Sequence, residues 1–111
     1  MAYPKMDKAI KKAWVAELRS GDYKQGKFAL RDEDNKFCCL GVLCNVHAKN
    51  NPEFAKTQKN PEAYDRHSGH PSPMVLAWAD LSADVAKKLV KMNDHEKKTF
   101  KEIADWIVKN V

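Results

Sequence analysis

Apolar residues first recur every four positions, at Met6, Ile10, Trp14 and Leu18. That spacing marks one face of an α-helix. Asp7 stands where an N-cap belongs and Gly21 where a helix stops, so a helix is predicted over about 6–20. Its other side carries Lys5, Lys8, Lys11 and Lys12, which fits a solvated face better than an anion-attracting edge. Next, Phe28 and Leu30 alternate with polar residues, "DEDN" supplies turn residues, and Lys36 and Phe37 return. This reads as a β-hairpin over about 27–38. From Cys39 the period lengthens: Leu40, Leu43 and His47, with Cys39 and Val46, fit a helix over about 39–48. Gly41 weakens that helix by about 1 kcal/mol relative to alanine. A glycine kept there implies close approach of another backbone.

No period is visible over 49–72, a stretch with prolines, asparagines and isolated Phe54 and Tyr64. Connections of that length serve as lids, binding loops or disordered segments. Ser72 and Pro73 then open a helix over about 73–79, burying Val75, Trp78 and, on this reading, Met74. Ser82 caps another over about 83–92, with Val85, Leu89 and Met92 inward. "NDHEKK" is a turn, and the Thr99–Glu102 pair is a capping box for a last helix over about 100–109. The fold class expected is α+β: a helix-dominated small single domain with one short β-hairpin and a long central loop.

Length and charge narrow the class. A chain of 111 residues supports one modest core. Its 20 basic against 15 acidic side chains give a net charge of +5, which favours anionic partners. Only three of the basic residues are arginine, the side chain that forked phosphate recognition recruits. Three cysteines cannot form a complete disulfide set, so free thiols in a reducing compartment are expected. No apolar run nears the roughly 20 residues of a membrane span, and the first residues lack the apolar centre of a signal peptide. A cytoplasmic location and no membrane partner follow as expectations.

Candidate chemistries are sparse. From Cys39, Cys44 and His47 (C-x4-C-x2-H) with His67 and His70 a set of four zinc-type ligands could be assembled, but the short C-x2-C knuckle is missing. Cys38 or Cys39 at a helix start is a candidate thiolate with His47, His67 or His70 as base, yet no cysteine-enzyme signature surrounds it. "DEDNKF" lacks the glycine and glutamate of a calcium loop, and there is no glycine-rich phosphate loop. Asp32 and Asp34 fit a solvated turn. The stretch "FCCLGVLC" is therefore read as core at a strand-to-helix junction. Neither catalysis, metal nor cofactor is expected. What remains is a polar cluster suited to an anionic small molecule: Tyr23, Lys24, Gln25, Lys27 and Arg31 by the hairpin, and Tyr64, Arg66, His67 and His70 in the loop. Phe28, Tyr23 and Tyr64 with neighbouring cations are also a weak single-strand platform, so nucleic acid is a further class of partner.

Three stretches in order, "LRSGDYKQGKFALRD", "FCCLGVLCNV" and "LVKMNDHEKKTFKEIADWI", resemble a group of small, largely uncharacterised proteins of tailed bacteriophages and prophages. The resemblance spans about the first 48 and the last 35 residues. It implies no activity. It does imply an accessory protein acting in the cytoplasm of an infected bacterial host. The leading expectation is non-enzymatic counter-defence, by sequestering an anionic, nucleotide-like host signal through Tyr23, Lys24, Gln25, Lys27, Arg31, Tyr64, Arg66 and His67. A protein-binding inhibitor of a host enzyme is the alternative, nucleic-acid binding the next, and self-association is compatible with each.

Overall fold

A computed structural model describes residues 3–111. Among them are six helices and two very short strands, in the order α1 (Lys8–Arg19), β1 (Lys24–Gln25), β2 (Lys36–Phe37), α2 (Cys39–Asn50), α3 (Pro52–Ala55), α4 (Pro73–Ala79), α5 (Ala83–Asp94) and α6 (Phe100–Asn110). This is a helix-dominated α+β domain.

Local chemistry sets the helix ends. Asp7, Ser72, Ser82 and Thr99 each cap a helix by accepting a backbone N–H with the side-chain oxygen. Glu102 closes the box by accepting the Thr99 N–H at 3.0 Å, and that bond holds its carboxyl below the usual range. Cys38 caps α2 through sulfur, with the Gly41 N–H 3.4 Å from Sγ. Asp80, in the left-handed region at φ 54°, ends α4.

The centre of the molecule is α2, which packs on α1, α5, α3 and β2. Every residue from Cys39 to Cys44 is buried, so this helix is apolar all round, as a core helix must be. The Trp14 Nε1–H donates to the Cys39 carbonyl at 2.9 Å, tying α1 to the start of α2. Leu43, Val75, Val85, Leu89, Ile103 and Ile107 are also fully buried.

Helix α6 pairs with α1. Lys5 and Lys11 reach the Asn110 and Val108 carbonyls with Nζ (3.3 and 3.2 Å). The lysines read as a solvated face thus partly serve the negative end of α6, where a cation is favourable.

The hairpin expected over 27–38 takes a different form. The two-residue ladder is parallel, Lys24 opposite Lys36 and Gln25 opposite Phe37. Of the hairpin, one antiparallel bridge survives, Arg31 to Phe37, closed by the Asp32–Asn35 turn. The cause is Phe28. Its φ of 66° turns the chain out of the extended region and leaves its ring 66% exposed. Alternation therefore ends before it can pair.

The segment 49–72 carries structure of its own. Pro52–Ala55 is a short helix, and Tyr64 and His67 exchange two backbone hydrogen bonds (2.8 and 3.0 Å) around left-handed Asp65 and Arg66. Met74, expected inside, is 36% exposed, and Trp78 is half-buried.

Candidate functional site

The residues proposed from sequence separate into those used by the fold and those left free. Gln25 is used. Its Nε2 donates to Asn93 Oδ1 and the Lys98 carbonyl, both at 2.8 Å, and its Oε1 accepts the Phe100 N–H at 3.1 Å. It fastens β1 to the start of α6. Tyr23 is used too: Oη donates to Glu17 at 3.1 Å, accepts from Asn45 Nδ2, and the ring sits edge-on to Phe37. Burial raises its pKa. Glu17 also pairs with Lys49. His67 is spent locally, with Nδ1 2.7 Å from the Asp65 carbonyl. Lys24, Lys27 and Arg66 are exposed.

Arg31 and Tyr64 do meet. They line one cleft with Phe37, Asn45 and Glu62. The Arg31 guanidinium lies 5.3 Å over the Phe37 ring, and its Nε donates to Asn35 Oδ1 at 2.6 Å. The cleft holds about 70 Å³. Sites for nucleotide-sized ligands run to roughly 300 Å³ and more. Glu62 adds a negative charge to the wall. This is room for a few waters or one small group.

Behind the cleft, Tyr64 fixes the central segment. Its hydroxyl is 2.6 Å from His47 Nδ1, and the imidazole is ringed edge-on by Phe54, Tyr64 and Trp78 at 5.4, 5.5 and 4.8 Å. Burial lowers the His47 pKa, with Asp65 opposing. Burial likewise pushes Tyr64 up to about 12.

The thiols are sealed. Cys38, Cys39 and Cys44 are all buried. Desolvation pushes Cys38 up to about 11 and raises Cys39 and Cys44 as well. Cys39 Sγ faces the Leu89 carbonyl at 3.8 Å. His67 and His70 lie together with ring centres 5.4 Å apart, away from the cysteines in sequence and in partners. Among the described residues no cluster of three or more His, Cys, Asp or Glu is placed to hold a metal.

A larger feature lies elsewhere. Between α4, α5 and the 69–71 segment runs a groove of about 450 Å³, floored by Leu40 and walled by Pro71, Leu76, Ala86 and Val90, with Lys87 and His70 at its edge. Sequence reasoning passed over it. The available signal was excess: Leu76 and Val90 fall beside the buried stripes of Val75–Ala79 and Val85–Leu89–Met92. An amphipathic helix with apolar residues outside its stripe has a second surface to cover.

The chain is thus a small helical α+β domain with a mostly apolar groove and buried thiols. The chain belongs to the family described as domain of unknown function DUF8296, whose family model matches residues 6–88. The match takes in α1 through the first half of α5, including nearly the whole groove, and stops before α6. No curated protein matches the chain. No solved structure matches it either. No helix is long and apolar enough to cross a membrane among the described residues.

Proposed function

We propose that this chain is a non-enzymatic accessory protein of phage type, acting in the cytoplasm of an infected bacterium. It binds another protein through the groove between α4 and α5. The observation that carries this reading is the 450 Å³ apolar groove edged by Lys87 and His70. Its size and lining suit apolar side chains presented by a partner with acidic flanks. The motif resemblance supports the phage setting. The sealed thiols and the locked, charge-averse His47 support binding over catalysis, since neither is poised to act as a nucleophile or proton carrier.

Sequestration of a nucleotide-like signal has less support. Gln25, Tyr23 and His67 are committed to the fold, and the cleft shared by Arg31 and Tyr64 is too small.

Affinity capture from host lysate tests the reading. One stoichiometric protein partner is expected, lost when Leu76→Asp puts a charge in the groove. Calorimetry against a panel of cyclic and linear nucleotides is expected to give no heat at micromolar protein. Heat there, with no protein captured, would reverse the assignment. Salt-sensitive binding to single-stranded DNA or RNA would favour the nucleic-acid alternative.

A further inference from the structure

Cations line the seam between α1 and α6, and among the described residues no acidic side chain lines it with them. Two hollows make up that seam. One, of about 360 Å³, is lined by Lys8, Lys11, Lys12, Val15, Arg19 and Val108. The other, of about 460 Å³, runs from Arg19 past Gly21 and Thr99 to Lys101. Arg19 belongs to both, so the hollows join.

Helix geometry accounts for the alignment. Lys8, Lys12, Val15 and Arg19 follow one another at intervals of four, three and four, which is a single stripe of α1. Helix α6 lies antiparallel beside it. The Met6 N–H donates to the Val111 carbonyl at 3.1 Å, Lys11 Nζ reaches the Val108 carbonyl, and Arg19 Nη2 pairs with Asp105 at 2.7 Å. Lys11 and Arg19 are thus committed. Glu102, next to Lys101 in sequence, is turned back on Thr99. Lys8, Lys12 and Lys101 are exposed and form no ion pair among the described residues. Three uncompensated cations on one seam raise the positive potential along it.

The surroundings narrow what that potential attracts. The apolar face of α1 is turned into the core at Trp14, Val15 and Leu18, so this helix has none to bury in a bilayer. Val108 is the one large exposed apolar side chain on the seam, at 49%, too little for the apolar centre of a protein interface. No free ring stands there for base stacking: Tyr23 is tied to Glu17 and Asn45, and Phe100 is buried. A regular polyanion with its charge on the outside fits what is left. Helix α1 has 12 residues, about 18 Å, the axial span of about five phosphates on one strand of a duplex. Ammonium groups meet phosphates as point charges and read no bases. Thr99 and Gln25, the polar groups that could answer a 2′-hydroxyl, are already bonded within the fold, so nothing on the seam selects RNA.

We infer that the α1–α6 seam is a sequence-independent contact for the phosphate backbone of duplex DNA, made by Lys8, Lys12 and Lys101. It shares no lining residue with the groove between α4 and α5. The domain therefore has two separate binding sites, one for a protein and one for DNA.

Fluorescence anisotropy of a short labelled duplex of mixed sequence, titrated with the full chain, tests this. Three phosphate contacts give a log–log salt slope of about −2.7, so binding is expected to weaken about fortyfold between about 50 and 200 mM salt. A single strand of the same length is expected to bind more weakly. Lys8→Gln with Lys12→Gln keeps helix propensity, so the melting temperature should hold. In that variant the slope is expected to fall to about −0.9, and affinity at about 50 mM salt to drop at least about tenfold. Lys59→Gln with Lys87→Gln removes the same charge at exposed positions off the seam and is expected to leave the slope unchanged. No duplex binding at about 50 mM salt, an equal loss in both double variants, or tighter binding of a single strand or an RNA duplex each overturns the inference. Lysate capture that depends on Lys8 and Lys12, with no DNA bound, would give the seam to an acidic protein instead. The docking reading is tested at Leu76 and stands or falls separately.

Discussion

Gly41, in the first turn of α2, lies against the backbone of Leu30 so closely that a Cβ built on it would stand 1.8 Å from the Leu30 carbonyl oxygen and 2.7 Å from its carbon. Neither is the end of a flexible side chain that could swing aside. Gly41→Ala would gain about 1 kcal/mol of helix propensity. It would have to move either α2, the core helix, or the 26–30 loop that Asn93 and Asp94 hold. Overpacking of this kind costs about 3 kcal/mol or more, so the clash wins. The variant is expected to melt roughly 10 °C lower. A melting temperature equal to the wild type's would show that the two backbones are not in contact.

Asn93 is 1% exposed and joins three elements. Its Oδ1 accepts from Gln25 at 2.8 Å and from the Cys39 N–H at 3.3 Å; its Nδ2 donates to the Gly26 carbonyl at 2.8 Å and to Asp94 at 2.9 Å. Asn93→Ala leaves buried donors and acceptors without partners in β1, the 26–30 loop and α2. Each such group costs about 1–3 kcal/mol, so a total loss of about 3 kcal/mol is expected. Hydrogen exchange at Gly26, Phe28 and Cys39 should quicken together. Exchange confined to one of them would mean that the three elements are not joined through this side chain.

Those two relationships show what could be read in advance. Gly41 was legible because a glycine inside an apolar helical period is costly and calls for a neighbouring backbone. The caps at Asp7, Ser72, Ser82 and Thr99 were legible because a side-chain oxygen before an apolar period acts locally. Asn93 was not, since its partners are 54 to 68 residues away. The ladder between β1 and β2 escaped for a similar reason. Alternation at Phe28 and Leu30 speaks of extended chain but not of the left-handed turn at Phe28, which Asp94 enforces from across the fold. In the candidate site, Arg31 and Tyr64 line one cleft, and the size of the space between them depends on how Phe37, Asn45 and Glu62 crowd it. Residue types chosen for polarity could not point to a groove defined by Leu76 and Val90.

Cysteine chemistry offers a sharp contrast between folded and unfolded chain. The three thiols are buried, and burial raises the pKa of each. The thiolate is the reactive form, so the native protein at pH 8 is expected to react with an aromatic disulfide reagent orders of magnitude more slowly than it does in denaturant. All three thiols should then titrate together on unfolding. Fast labelling of Cys38 in the native state would contradict a sulfur sealed beneath Gly41 and would reopen the case for a reactive thiol there.

His47 makes the stability of the central segment depend on pH. The imidazole is 4% exposed, hydrogen-bonded to Tyr64 and ringed by Phe54, Tyr64 and Trp78. Its folded pKa lies below the model-compound value of 6.5 because burial disfavours the cation, an effect that outweighs the attraction of Asp65. The unfolded chain therefore binds a proton at a higher pH than the folded one. Between the two values the unfolded state carries more protons, so stability rises with pH and is lost as pH falls through 6.5 toward the lowered folded value. The wild type is expected to melt at lower temperature at pH 5.5 than at pH 7.5. His47→Gln, which keeps a hydrogen-bonding group for Tyr64 but cannot charge, should flatten that part of the profile while lowering stability at neutral pH through lost packing. The steepness in this window identifies His47 only if the variant removes it. An unchanged slope in His47→Gln would assign the acid sensitivity to other groups and leave the aromatic ring around His47 as packing alone.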